Sequence, residues 1–147
     1  LPPSPALDRR VALRPVLSLK ARVSHVKRVA AGEALSYGLR YRTTVDTTVA
    51  TVPLGYADGV DRRLGSEGAQ VLIGGERLPI AGTVTMDQLL VDCGDRSVQV
   101  GEEVVLLGRQ GPAEITADEW AERLGTINYE VVCGVSLGVP RCYLEAP

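Results

Sequence analysis

From about Val11 onward, apolar and β-branched residues recur at every second position or in short blocks, in runs cut by glycine. That spacing matches the two-residue repeat of a half-buried strand rather than the roughly 3.6-residue repeat of a helix. In "VLSLKARVSHVKRV", Leu17, Leu19, Ala21 and Val23 alternate with Ser18, Lys20, Arg22 and Ser24. "TTVATVPLG", "AQVLIGG", "RLPIAGTVTMDQLLVD" and "EEVVLLG" continue the pattern between Gly, Asp-Gly and Gly-Gly turns. The chain therefore reads as all-β, an antiparallel barrel or sandwich of short strands. One segment departs from it. In "ITADEWAERLG", Thr116 and Glu119 have capping-box spacing, Trp120 and Leu124 share one helical face, and Gly125 marks the stop. This predicts one short helix near residues 116–125, after which "INYEVVCGVSLGVPRCY" reads as a return to strand.

The 147 residues suffice for one core but not for that core plus a separate catalytic barrel. A net charge of −2 argues against a nucleic-acid or anionic-membrane binder. Apolar runs such as "EVVLLG" fall far below the roughly 20 residues of a membrane helix, and no charged-then-apolar leader opens the chain. A cytoplasmic protein without membrane contact is expected. Three cysteines without CxxC spacing fit reduced thiols, and a single histidine, His25, argues against a metal site. "LPPSPALDRR" (1–10) reads as a linker from an upstream domain, with 11–147 as the folded unit. Because Met86 is the only methionine, a chain starting at Leu1 is expected to be a piece of a longer protein.

Five tyrosines and no phenylalanine raise the question of what the hydroxyls do. In "ALSYGLRY", alternation places Tyr37 and Tyr41 on one face of a strand with Leu35 and Leu39, where Tyr37, taken by itself, reads as a core tyrosine and Tyr41 as a packing residue. Tyr56 in "PLGYADG" stands at a turn that Asp-Gly could supply in a plain hairpin. Asp87 in "GTVTMDQ" reads as a solvent-facing acid, and Tyr129 in "INYE" as a packing residue. Lys20 and Lys27 could form a Schiff base with an aldehyde cofactor, but both lie in a charge-rich strand whose lysines ordinarily point to water.

Taken in order, "SYG", then "GYADG" with Tyr56 19 residues after Tyr37, then "MDQ", "NYE" and "VPR" resemble the C-terminal domain of alanine racemase, from about Leu13 to Arg141. That family consists of pyridoxal-phosphate (PLP) enzymes that interconvert L- and D-alanine for bacterial cell walls. The resemblance implies an antiparallel, Greek-key-like barrel. It also implies an upstream α/β barrel whose lysine binds PLP, and a homodimer in which each C-terminal domain completes the partner's site. By similarity Tyr37 is the catalytic tyrosine. Tyr56 lines the substrate site, the Met86 backbone amide reaches the substrate carboxylate, and Tyr129 hydrogen-bonds the cofactor phosphate. Arg62, Asp87 and Ile127 match positions along the access channel. Thr83 stands where the family usually has arginine, and Leu137 and Gly138 replace a Tyr-Arg pair. These departures bear on the charge of the channel and the packing of the last segment.

Racemisation needs a proton removed from one face of a planar carbanion and returned to the other, hence two bases. A free phenol titrates near pH 10, so using it as a base at neutral pH costs on the order of 4 kcal/mol unless cationic neighbours lower its pKa. Such neighbours would come from the upstream barrel, so the isolated chain is expected to be inactive. Two other readings remain open: a serine or broad-specificity amino-acid racemase, and a stand-alone β-domain for assembly.

Overall fold

The structure, a computed structural model, describes residues 14–144; the linker reading of 1–10 lies outside them. The ten strands are β1 (Leu19–Arg22), β2 (His25–Val29), β3 (Ala34–Leu35), β4 (Tyr41–Arg42), β5 (Thr47–Val52), β6 (Gln70–Ile73), β7 (Glu76–Pro79), β8 (Leu89–Asp92), β9 (Glu103–Gln110) and β10 (Ala113–Ile115). Two helices follow, α1 (Ala117–Leu124) and α2 (Asn128–Cys133), and Tyr56–Asp58 form one 3-10 turn.

Every strand pairing is antiparallel, in the orders β1-β9-β6-β7 with β10 on β9, β2-β5-β8, and β3-β4. β1 and β2 are one strand changing partners: the Val23 amide donates to Glu102 O (2.9 Å) and the Ser24 amide to Thr51 O (2.9 Å). At the other end Ile80, just past β7, bridges Val91 of β8, and the Ala81 amide donates to Leu90 O at 2.8 Å. The hydrogen-bonded path thus runs from β1 through β9, β6, β7, β8 and β5 back to β2, a barrel-like circuit without a long free edge. Val52, Leu72, Ile73, Val91, Val105 and Leu106 on its strands are fully buried in one hydrophobic core, which takes in both faces of β6 and β9.

α1 forms where predicted, with Thr116 Oγ1 accepting from the Glu119 amide at 3.1 Å and Gly125 closing it at φ 68°. Trp120, 1% exposed, joins Val60, Leu64 and Val131 in the same core, so α1 caps the barrel end. An Arg77–Glu119 ion pair at 2.8 Å binds the helix to β7.

Three strand expectations are corrected. Ala34–Tyr41 is not one strand but two two-residue strands around a reversal, with Ser36, Gly38 and Leu39 at φ 66°, 79° and 52°. Tyr37 and Tyr41 therefore do not share a face. "RLPIAGTVTMDQLLVD" is broken at Gly82 (φ 81°) into β7, a loop and β8. The segment after α1 turns into α2 instead of a strand, because Asn128, buried, donates to Asp118 Oδ1 (2.7 Å) and Val131 packs into the core. The β-branched run that reads as strand is outweighed by this tertiary packing.

Backbone contacts draw the loops at one rim together. The Tyr56 amide donates to Thr85 O (2.9 Å) and the Ala57 amide to Met86 O (3.0 Å). A Cβ on Gly55 would stand 2.2 Å from Met86 O, so only glycine allows this approach. Gly59, at φ 102°, lies against Gly134 after α2, and the Ser136 amide donates to Asp58 O at 3.1 Å. The β3–β4 hairpin joins through Ser36 Oγ, which donates to Thr83 O (2.6 Å), and through Tyr41 Oη, which donates to Asp92 Oδ2 (2.6 Å). Thr47 Oγ1 and the Gly94 amide also donate to Asp92. Burial would raise the Asp92 carboxyl, but the bonds from Thr47, Tyr41 and Gly94 hold it below the usual range. Burial, with the adjacent Asp92 carboxylate, pushes Tyr41 up to about 12.

Two outcomes follow from these contacts. Gly59→Ala, whose Cβ would fall 2.3 Å from Gly134 O, is expected to lower stability by roughly 3 kcal/mol in urea unfolding. Gly111→Ala, also at positive φ but with nothing within 4 Å, should cost only about 1 kcal/mol; equal costs would contradict the contact. Tyr41, raised from 10.0 when folded, contributes stability that is present below the unfolded value and lost as pH climbs through the folded one. The melting-temperature advantage over Tyr41→Phe should therefore shrink between about pH 10 and 12, and a constant difference would refute it. Asp92, depressed when folded, adds the mirror effect: its contribution fades as pH falls through its folded value.

Candidate active site

Four segments meet at this rim: the β3–β4 hairpin, the Gly55–Gly59 turn, the loop before β8 and the start of α2. Each carries a residue singled out in the sequence. Tyr37 occupies the hairpin tip, 74% exposed, and its hydroxyl has no hydrogen-bond partner among the described residues. A tyrosine held for packing would be covered, so the core reading of Tyr37 fails. Two non-glycine left-handed residues, Ser36 and Leu39, flank it at a cost of about 1 kcal/mol each. Such backbone persists where its surroundings hold it, and it concentrates at working sites.

Tyr56 opens the 3-10 turn, half-exposed, and the turn is fixed by the Gly55 amide donating to Asp58 Oδ2 at 2.9 Å. Asp58-Gly59 therefore ends a 3-10 turn and is not the corner of a plain hairpin. Met86 and Asp87 form the tip of a turn in which Thr85 N and Oγ1 both donate to Gln88 O (2.9 and 2.8 Å). The Met86 amide makes no hydrogen bond among the described residues and is free to donate to a ligand. Ile127 caps α2 and Tyr129 lies in its first turn; both are exposed, and the Tyr129 hydroxyl has no partner among the described residues.

Beside them opens a pocket of about 520 Å³ lined by Tyr56, Arg62, Arg63, Trp120 and Glu130 among others. Burial alone would raise the Asp61 carboxyl, but Arg63, paired at 3.2 Å, holds it below the ordinary range. Arg62 makes no ion pair among the described residues and stays available to an anionic solute. Thr83, where arginine was the family expectation, is used through its carbonyl. The long-range partners Tyr41 and Asp92 escaped sequence reasoning. The one local signal was an acid closing an apolar strand in "LLVD".

These groups suit one wall of a PLP site: a free phenol and a free amide offer donors to a phosphate and a carboxylate. No lysine belongs to that wall. Lys20 pairs with Glu103 at 3.2 Å on β1, and Lys27 is exposed on β2. Among the described residues no cluster of three or more His, Cys, Asp or Glu could hold a metal, and no helix is long and apolar enough to cross a membrane.

The family profile "Alanine racemase, C-terminal domain" matches residues 16–143. The alanine racemase of Symbiobacterium thermophilum is 54% identical over 144 residues, which cover 97% of this chain and 38% of that protein. That of Frankia casuarinae is 50% identical over 146 residues, covering 98% of this chain and 38% of its own length. Among solved structures, alanine racemase from Bacillus anthracis with bound L-Ala-P superposes with a TM-score of 0.90 at 44% identity, over 97% of this chain and 37% of that one. The chain thus spans little more than a third of its relatives' length. On this evidence the chain belongs to the alanine racemase family, as its C-terminal domain.

Proposed function

We propose that this chain is the β-domain of a PLP-dependent alanine racemase and supplies Tyr37 to a site completed by an α/β barrel of a second subunit. The observation that carries the reading is the exposed, unpartnered Tyr37 hydroxyl on a turn tied through Ser36 to the loop that holds Met86 against Tyr56. The whole assembly would be a cytoplasmic homodimer making D-alanine for peptidoglycan. Alanine is favoured over serine by the names of the relatives.

Bound PLP would supply the electron sink that lets the substrate α-carbon lose a proton. Tyr37 would move that proton at its phenolic oxygen on one face, opposite a barrel base. The free Met86 amide would orient the substrate carboxylate beside Tyr56, and the Tyr129 hydroxyl would donate to the cofactor phosphate. Arg62, Asp87 and Ile127 would line the approach. With Thr83 in place of arginine, Arg62 carries the positive charge that this chain offers there. The isolated chain lacks the PLP lysine, which would act as the base on the other face, and would not turn over alanine.

Tyr37→Phe in the full-length enzyme should slow α-proton removal from one alanine enantiomer by roughly a thousandfold and mostly spare the other. Rapid-mixing measurement of α-deuterium wash-out from each enantiomer reads this directly. Equal loss for both would remove Tyr37 from the assigned role.

A further inference from the structure

We propose that Ser36 and Tyr41 are positioning residues for Tyr37: two hydroxyl anchors hold a left-handed turn so that the phenol is presented at a fixed place. This rests on the reading of Tyr37 as the proton-transfer group. The ring of Tyr37 is 74% exposed and its hydroxyl is unpartnered among the described residues, so nothing on the side chain itself fixes it within this domain. Its location is inherited from the backbone.

That backbone is unusual. Three of the four residues Ser36–Leu39 are left-handed, and two of the three are not glycine. Only the Leu39 amide to Ser36 O (3.1 Å) closes the turn from within. β3 and β4 contribute two residues each, too few to hold the hairpin alone.

The base of the hairpin is closed by the Gly32 amide donating to Thr43 O (2.8 Å) and by the Thr43 amide and hydroxyl donating to Glu33 O (3.0 Å) and Ala30 O (2.8 Å), whereas its tip is held by the barrel, at one contact on each side of Tyr37. Before it, Ser36 Oγ donates to Thr83 O (2.6 Å) on the loop leading to β8. After it, Tyr41 Oη donates to Asp92 Oδ2 (2.6 Å) at the end of β8. Gly82 fits between them: a Cβ there would lie 2.7 Å from Ser36 Cβ and 3.1 Å from Tyr41 Cβ. Both anchors thus refer the turn to a single strand and its approach loop. Removing either hydroxyl leaves a strained turn free to relax, and a displacement of about 1 Å at a reacting group can cost about a hundredfold.

The test uses the full-length racemase with Ser36→Ala, Tyr41→Phe and Tyr37→Phe. Two quantities are measured: α-deuterium wash-out from each alanine enantiomer in single turnovers, and amide hydrogen exchange at residues 36–41 in the cofactor-free protein. Ser36→Ala and Tyr41→Phe should each slow wash-out about tenfold from the enantiomer that Tyr37→Phe affects, leave the other within about twofold, and speed amide exchange across the turn about tenfold. Loss spread evenly over both enantiomers, or unchanged exchange, while Tyr37→Phe stays one-sided, overturns the positioning claim alone. A Tyr37→Phe effect that is itself even overturns the proton-transfer reading instead, and the claim with it. Should Tyr41→Phe fail to accumulate as folded protein, Asp92→Asn keeps the tyrosine, weakens its acceptor and faces the same two criteria.

Discussion

Asp92 ends β8, where a half-buried carboxylate would be costly without donors. It receives three: the Tyr41 hydroxyl from β4, the Thr47 hydroxyl from the start of β5, and the Gly94 amide from the turn beyond β8. Charge-assisted bonds of this kind are among the stronger ones a fold can make. They join three parts of the chain at one acceptor, among them the hairpin that bears Tyr37. Where that hairpin sits, and so where its phenol sits, depends on this carboxylate staying ionised and occupied.

Glycine does the rest of the assembly. Gly55, Gly59 and Gly82 each stand where a Cβ would meet another segment at under 3 Å. Their absent side chains let distant parts of the sequence approach closely, backbone to backbone at Gly55 and Gly59 and against the Ser36 and Tyr41 side chains at Gly82. Tyr56 and Met86 come together through the first contact, the turn and α2 through the second, the hairpin and the β8 loop through the third. The barrel supplies a stiff frame, and the loops at its rim carry the tyrosines of the proposed site.

The barrel strands were legible as β-branched and apolar runs set between glycine turns, as in β5 and in the buried block Val104–Leu107 of β9. α1 was legible because its cap is local chemistry: Thr116 accepts from Glu119, three residues on. The hairpin at Ala34–Arg42 was not. Alternation continues across a tight reversal as though the strand were unbroken, and left-handed Ser36 and Leu39 carry no compositional sign. α2 was misread because its β-branched residues favour strands while its packing against α1 decides otherwise. Tyr37 stood out only through the order of several motifs, and its neighbours Ser36 and Tyr41 remained hidden because their partners lie 47 and 51 residues away.

The central claim is that this domain completes a site on another subunit, and mixed dimers test it most directly. One subunit would carry Tyr37→Phe and the other a substitution of the PLP lysine in its barrel, each homodimer being inactive. If Tyr37 works across the interface, the heterodimer regains one intact site and about half of the wild-type turnover. Turnover no higher than that of either parent would show that tyrosine and lysine act within one subunit and would contradict the account.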